Sequence, residues 1–325
     1  MHVKAVKDDI LMGLQKAASI IPSKTGAAFL RTIWLENKDS NLNILSTDSK
    51  MEFSGSYPVQ SQEEGLVGVQ GRSFYDLLRK LPPGEITFRS DEETLLLEQG
   101  RRKYRLPTFD ATWFPSFSPF PEEQATSWSG SELKTLIDGI LFCIADDSTD
   151  NMHFMKMTPV PESHNLEICG LNGHQFAMKR LEHSGIHPLL GEDGILIAKS
   201  YLIELKKWLT DEDIHFTVNN NRLFFTNKAK SEIFSLPINF DNFANYNAFF
   251  TFFNDETSKM RVDKEELIDS LERLLIFNTE TQRCSYFVFD EQELIIYSQG
   301  QDTGEATESI PIEFTGNMDK IIFLT

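Results

Sequence analysis

A pattern of strands and helices recurs along this chain with a period close to 128 residues, and a repeat of that length limits the fold more tightly than any single motif. Three apolar, strand-like pieces mark it: Leu42-Asn43-Ile44-Leu45, Leu166-Glu167-Ile168-Cys169 and Leu294-Ile295-Ile296-Tyr297, their first residues 124 and then 128 positions apart. Each runs within a few residues into polar or glycine turn material, Thr47-Asp48, Asn172-Gly173 and Gln299-Gly300. Leu106-Pro107 and Leu236-Pro237 form a second pair, 130 apart, each ahead of an aromatic loop. Helical spacing recurs as well. Phe74, Leu77 and Leu81 follow the strand-like Leu66-Val67-Gly68-Val69, and Leu202, Leu205 and Leu209 follow Ile195-Leu196-Ile197. An earlier helix in each repeat is marked by Ile10 and Leu14, by Leu133, Leu136 and Ile140, and by Leu267, Leu271 and Leu274, with N-cap candidates Asp8 or Asp9, Ser131 and Asp263.

These signals predict an α+β protein of three tandem domains, 1–120, 121–250 and 251–325, each a duplicated β-α-β-β-β unit. The third domain is expected to be C-terminally truncated. Its second-half helix would begin at about residue 327, so about 50 residues of the pattern are wanting by comparison with 197–246.

Composition narrows the function. The 325 residues carry 31 basic and 49 acidic side chains, a net −18. A broad basic exterior for nucleic acid is therefore excluded, although basic residues gathered on one inner face are not. No apolar run approaches the roughly 18–20 residues that span a bilayer, so no membrane partner is expected. The N-terminus lacks a signal-peptide core. Cys143, Cys169 and Cys284 are too few and too scattered for a disulfide framework or a cysteine zinc site, which points to a reducing, cytoplasmic setting.

Within this framework certain words stand in order: Leu45-Ser46-Thr47-Asp48-Ser49-Lys50-Met51-Glu52, Arg72-Ser73-Phe74-Tyr75-Asp76-Leu77-Leu78, Gly100-Arg101-Arg102-Lys103-Tyr104-Arg105-Leu106, Asn172-Gly173-His174-Gln175-Phe176 and Gly304-Glu305-Ala306-Thr307-Glu308. Over the whole chain this resembles the bacterial DNA polymerase III beta subunit family, the beta sliding clamps. The resemblance implies a homodimeric, head-to-tail ring with sheets outside and helices lining a hole for duplex DNA. It implies a non-catalytic processivity factor of DNA replication, without cofactor or metal. Its partners would be duplex DNA, a second copy of the chain, and the DNA polymerase III catalytic subunit and clamp-loader subunits, the last two held through short peptide motifs.

The helix over 71–81 carries Arg72, Arg79 and Lys80 against Asp76, and the helix over 199–209 carries Lys199, Lys206 and Lys207 against Glu204, each netting +2. A solvated helix face is the ordinary reading of such charges. Their equivalent places in the repeat favour two helices facing one phosphate-lined channel, with contacts that read no base sequence. By the resemblance, Lys24 is a further DNA contact. The helix over 263–277 nets −3 and fits that role poorly.

The resemblance also implies a peptide-binding groove of Met152, Leu171, Gly173, His174, Gln175, Phe176, Ala244 and Phe249. A strand turn with a buried histidine is the plainer reading of the 171–176 segment. The chain departs from the family here: Leu171-Asn172 replaces the usual Thr-Asp, Gln175-Phe176 replaces Arg-Leu, and Ala244 and Ala248 stand for a proline and an arginine. The dimer interface implied is Arg101, Lys103, Tyr104 and Leu106 against Ile276, Phe277, Glu305 and Glu308, two edge strands with charges that set orientation.

Catalytic readings have less behind them. His183 and His187 flank a loop without the glutamate of a zinc-peptidase helix, and Gly65, Gly68 and Gly71 are misspaced for a dinucleotide loop. A magnesium-dependent nuclease or phosphotransferase would have to use Asp146, Asp147 and Asp150, which read as a turn after a helix. A clamp-like scaffold that does not close is the remaining alternative.

Overall fold

The computed structural model describes residues 1–22, 27–91, 93–146, 151–246, 250, 258–278, 284–300 and 302–316, and the backbone of 320–324. They fall into two compact units, Met1–Ala244 and Asn245–Thr325.

In the first unit the expected β-α-β-β-β order holds four times. The first pair of half-units is β1 (His2–Val6), α1 (Lys7–Ile20), β2 (Thr32–Lys38), β3 (Asn41–Thr47), β4 (Glu52–Pro58) and a short β5 (Gln60–Glu63), then β6 (Gly65–Gln70), α2 (Gly71–Lys80), β7 (Glu85–Ser90), β8 (Thr94–Gln99) and β9 (Arg102–Phe109). The second pair is β10 (Thr126–Ser129), α3 (Gly130–Leu141), β11 (Phe154–Pro159), β12 (Asn165–Leu171) and β13 (Phe176–Glu182), then β14 (Ile195–Ala198), α4 (Lys199–Trp208), β15 (Asp213–Asn219), β16 (Arg222–Asn227) and β17 (Glu232–Pro237). Halves interlock because each gives its first strand to the other: β1 pairs β7, β6 pairs β2, β10 pairs β15 and β14 pairs β11, all antiparallel.

One further pairing joins the two repeats. Strand β17 lies antiparallel to β4, with Glu232 opposite Gly55, Ile233 opposite Ser54, Phe234 opposite Phe53 and Ser235 opposite Glu52. A continuous thirteen-stranded sheet results. The helices pack as a row, α2 against α1, α1 against α4 and α4 against α3. Their buried stripes (Ile10, Leu14 and Ala17 on α1, Phe74 and Leu78 on α2, Leu202 and Leu205 on α4) belong to one core with Phe53, Phe88 and Phe234.

The second unit holds β18 (Lys259–Val262), α5 (Lys264–Leu275), β19 (Cys284–Phe289), β20 (Glu293–Gly300), β21 (Gly304–Thr315) and β22 (Lys320–Leu324). Its small core is Leu274, Phe287, Leu294, Ile296, Ile310 and Ile312. Strand β22 pairs β19 as β6 pairs β2. Strand β18 differs from β1 and β10, pairing the far end of β21 through Val262–Ile312 to Lys259–Thr315.

Two of the expected caps are corrected. Helix α1 is entered from Val6 without a side-chain cap, because the Lys7 amide already donates to the Gly84 carbonyl at 2.9 Å; Asp8 and Asp9 sit in the first turn. Helix α3 is capped by Ser129 and not Ser131, since the Gly130 amide is held by the Glu212 carbonyl at 3.0 Å and fixes the start at Gly130, two residues earlier than a Ser131 cap would. Asp263 does cap α5, accepting from the Glu266 amide at 2.9 Å.

Candidate functional site

The basic side chains on α2 and α4 are not equally available. Arg72 is exposed and reaches the Ile21 carbonyl at 3.2 Å, while Arg79 pairs with Asp76 at 3.2 Å and lies over the Tyr75 ring. Lys80 is exposed at the end of α2. On α4 the charges are partly spent: Lys199 binds Asp146 and the Ile144 carbonyl, each at 2.7 Å, Lys206 binds Asp138 of α3, and Lys207 binds Glu204 at 2.7 Å. The partners Asp146 and Asp138 lie outside α4, which is why its own composition does not reveal them. Lys24 lies outside the described residues.

Charge is nonetheless segregated by element. The four helices of this row hold nine basic and six acidic side chains, a net +3, so the remaining chain carries −21. An anion meets far less repulsion along the helix row than elsewhere.

The 171–176 segment closes the hairpin between β12 and β13, with Leu171 paired to Phe176. Asn172 builds the turn: its Oδ1 accepts from the amides of His174 at 3.0 Å and Gln175 at 2.8 Å, and its own amide donates to the Gln175 carbonyl at 3.2 Å. Gly173 takes φ +86°, a left-handed conformation that suits glycine. His174 is exposed at the tip, so the plainer reading of a buried histidine is corrected. Leu171 is buried, Phe176 half-buried and Gln175 exposed. Met152 lies beside this turn, its sulfur 4.0 Å from where a β-carbon on Gly173 would stand.

Sequence reasoning missed the residue that ties the segment before Met152 to the segment before Ala244. Asn151 donates from Nδ2 to the Asn242 carbonyl at 2.8 Å, next to Met152 and two residues before the half-buried Ala244. An asparagine directly after the aspartate-rich stretch 146–150 was the available signal, and Asn151 takes φ +59°. Phe249 lies outside the described residues.

The residues expected at the interface fall, in the first unit, on strand β9 and the turn before it and, in the second, on β21 and the turn that follows α5. Arg102–Pro107 of β9 pair with β8 on one side, and among the described residues no strand pairs with their other side. Arg101 lies in the turn before β9, Lys103 pairs with Glu98 at 2.7 Å, and Tyr104 and Leu106 are half-buried. In the second unit Glu308 accepts both arms of Arg273, at 2.6 and 2.7 Å, and the Ser270 hydroxyl at 2.7 Å. These donors, Arg273 foremost, hold the Glu308 carboxyl below the usual glutamate range. Thr303 donates to the Phe277 carbonyl at 2.8 Å, and Ile276 is 70% exposed; Glu305 is exposed on β21.

Asp146 is engaged by Lys199, and Asp147 and Asp150 lie outside the described residues. Among the described residues no three His, Cys, Asp or Glu side chains are grouped to hold a metal, and no helix is long and apolar enough to cross a membrane.

Comparison with known proteins places these features. Residues 1–118 match the family model of the DNA polymerase III beta subunit, N-terminal domain. Beta sliding clamps of Rickettsia felis and Escherichia coli are 24% and 23% identical to the chain, covering 93% and 97% of it and 79% and 85% of their own lengths. Among solved structures, the DNA polymerase III subunit beta of Pseudomonas aeruginosa superposes with a TM-score of 0.87 at 22% identity, and a sliding clamp from Bartonella birtlesii bound to griselimycin with 0.90 at 20%. Both matches cover the whole chain and 87% of the other protein.

Proposed function

We propose that this chain, which belongs to the DNA polymerase III beta subunit family of beta sliding clamps, is a DNA sliding clamp that encircles duplex DNA and tethers the replicative polymerase. The family is non-catalytic, and the chain's work is to bind. One observation carries the reading: a row of four helices with a net +3 inside a protein of net −18, on a fold similar to that of sliding clamps over the full chain. Phosphates would meet Arg72, Arg79, Lys80, Lys199, Lys206 and Lys207 on α2 and α4 and, by the family resemblance, Lys24. Such contacts read no base, so the ring slides. Domains 1–120 and 121–250 supply the helix row, and 251–325 supplies the edge that meets β9 of a second copy.

The groove of Met152, Leu171, Gly173, His174, Gln175, Phe176, Ala244 and Phe249 would take short apolar-anchored peptides of the polymerase and the clamp loader. The working compartment is the cytoplasm.

Retention on primed circular DNA tests the function. Reversing Arg79, Lys80 and Lys207 together should abolish retention while leaving the thermal transition in place, because these positions are exposed. Unchanged retention, or a marked preference for one duplex sequence, refutes it.

A further inference from the structure

The segment before β2 and the loop after β9 frame an apolar hollow on the first repeat. Residues Ala28–Arg31 form a single 3-10 turn, held by the Leu30 amide on the Ala27 carbonyl at 3.1 Å and by the Thr32 hydroxyl on the Ala28 carbonyl at 3.0 Å. A second turn, Ala111–Trp113, is started by Asp110, whose carboxylate accepts the Thr112 amide at 2.8 Å. Phe114 then packs edge-on against the buried Trp34 ring, with 5.4 Å between centroids. Its neighbour Trp113 stays 52% exposed, and Phe29 on the first turn 38%. Ala27, Ala28, Phe29, Trp113 and Pro115 line a cavity of about 630 Å³ with no charged side chain among them. That lies within the about 300–1,000 Å³ usual for ligand pockets.

The second repeat has the same corner and ties it with a hydrogen bond. Trp113 stands seven residues after Leu106, as Phe243 stands seven after Leu236. Trp34 pairs with Leu45 as Lys156 pairs with Cys169, which makes Phe29 and Leu30 the counterparts of Asn151 and Met152. Asn151 donates to the carbonyl of Asn242, the residue before Phe243. In the first repeat that place belongs to Phe29, whose side chain has no donor, and the corner is open and aromatic. A purely structural corner would be served by the bond; the open form is the one that can take a guest.

The edge of the hollow carries a charge to match. Residues three apart eclipse in a 3-10 turn, so Arg31 lies on the Ala28 side. Its Nε is buried without a hydrogen-bond partner, and no carboxylate pairs with its guanidinium among the described residues. A cation without an acid, beside an apolar hollow, favours a ligand that brings its own carboxylate.

We infer that this hollow is a second peptide site, separate from the groove of Met152 and Phe176, which takes adjacent apolar anchors of a partner peptide carrying an acidic residue toward Arg31. It rests on the clamp reading only for the expectation that partners present such peptides. Trp113 is the main contact: its ring is already exposed and its backbone is fixed by the turn, so little freedom is lost on binding.

Trp113 is also the reporter. Of the four tryptophans, Trp34, Trp128 and Trp208 are buried, so acrylamide quenches chiefly Trp113. The probe is a fluorescein-labelled serine-glycine octapeptide with adjacent leucine and phenylalanine anchors and one aspartate. Its controls replace both anchors by serine, or the aspartate by lysine. The probe should shield Trp113 from acrylamide, the anchor-free control should not, and shielding should persist in Phe176→Ala. By anisotropy in that background, Trp113→Ala should weaken binding about tenfold or more, and so should Ala27→Trp, which fills the hollow. The aspartate probe should bind about two- to fivefold tighter than the lysine probe, the gain of an exposed ion pair, and Arg31→Gln should erase the difference. Absent shielding, shielding lost in Phe176→Ala, or equal affinity for the aspartate and lysine probes overturns the inference. So does shielding that grows with protein concentration without peptide, as a second copy seated in the hollow would give. Shielded Trp113 in a protein that fails to stay on DNA refutes the clamp reading and leaves this site standing.

Discussion

The ammonium of Lys16 stands 2.6 Å from the carboxylate of Glu232, more than two hundred residues away in sequence, with both side chains about nine-tenths buried. The same carboxylate accepts the Tyr57 hydroxyl at 2.8 Å. Tyr57 lies in a slot that exists because residues 13 and 55 are glycines: a β-carbon on either would stand 2.1 or 2.6 Å from the tyrosine oxygen. Burial, then the Glu232 charge, drive the Tyr57 hydroxyl far above the ordinary tyrosine range, so it stays a donor. This cluster locks β17 onto β4.

Removing one member should cost more than removing all. Glu232→Leu leaves a buried lysine unpaired and is expected to destabilise the first unit by about 3–5 kcal/mol in urea unfolding. The combination Lys16→Met, Tyr57→Phe, Glu232→Leu should recover most of that loss. A triple variant less stable than the single one would contradict this account.

Acid should loosen the second unit through Glu308. A carboxyl held below its unfolded value contributes stability that is full above the ordinary glutamate value of 4.5 and drains as pH falls through the depressed folded value. Hydrogen exchange of the α5 and β21 amides should therefore accelerate on acidification below pH 4.5, and Glu308→Gln should exchange fast already at neutral pH with a flatter acid response.

Asp138 restrains Lys206, and releasing that lysine should be visible in DNA binding. For Asp138→Asn the slope of log affinity against log salt should steepen by about 0.9, the increment for one additional phosphate contact. Filter binding across a salt series measures it; an unchanged slope would mean that Lys206 does not reach phosphate.

Phe176→Ala should weaken capture of an apolar-anchored polymerase peptide by about 1–3 kcal/mol in a fluorescence titration. Asn172→Ala, which removes the acceptor for the His174 and Gln175 amides, should weaken it too by loosening the turn. Equal affinity in folded variants would remove the groove from this surface.

The repeat was legible because it is written in local terms: apolar periodicity places α2 and α4 to within a residue, and Asp263 caps α5 as read. What sequence reading missed is non-local. Ser131 yields to Ser129 because a carbonyl in another segment, Glu212, holds Gly130; Asp8 and Asp9 yield because Gly84 has already satisfied Lys7. Lys199 and Lys206 read as open positive charge, yet their acids sit on other elements. The joint itself, Lys16 with Tyr57 and Glu232, joins residues that no window contains.

The pairing of Phe53 with Phe234 also sets a clock during synthesis. At roughly 5–20 residues per second, the sheet edge at β4 is complete on the order of 10–40 s before the strand that covers it leaves the ribosome. For that interval Gly55 and Tyr57 lie on an unpaired edge, open to any passing strand, and a nascent chain of this fold has reason to be met by a chaperone before its own β17 arrives.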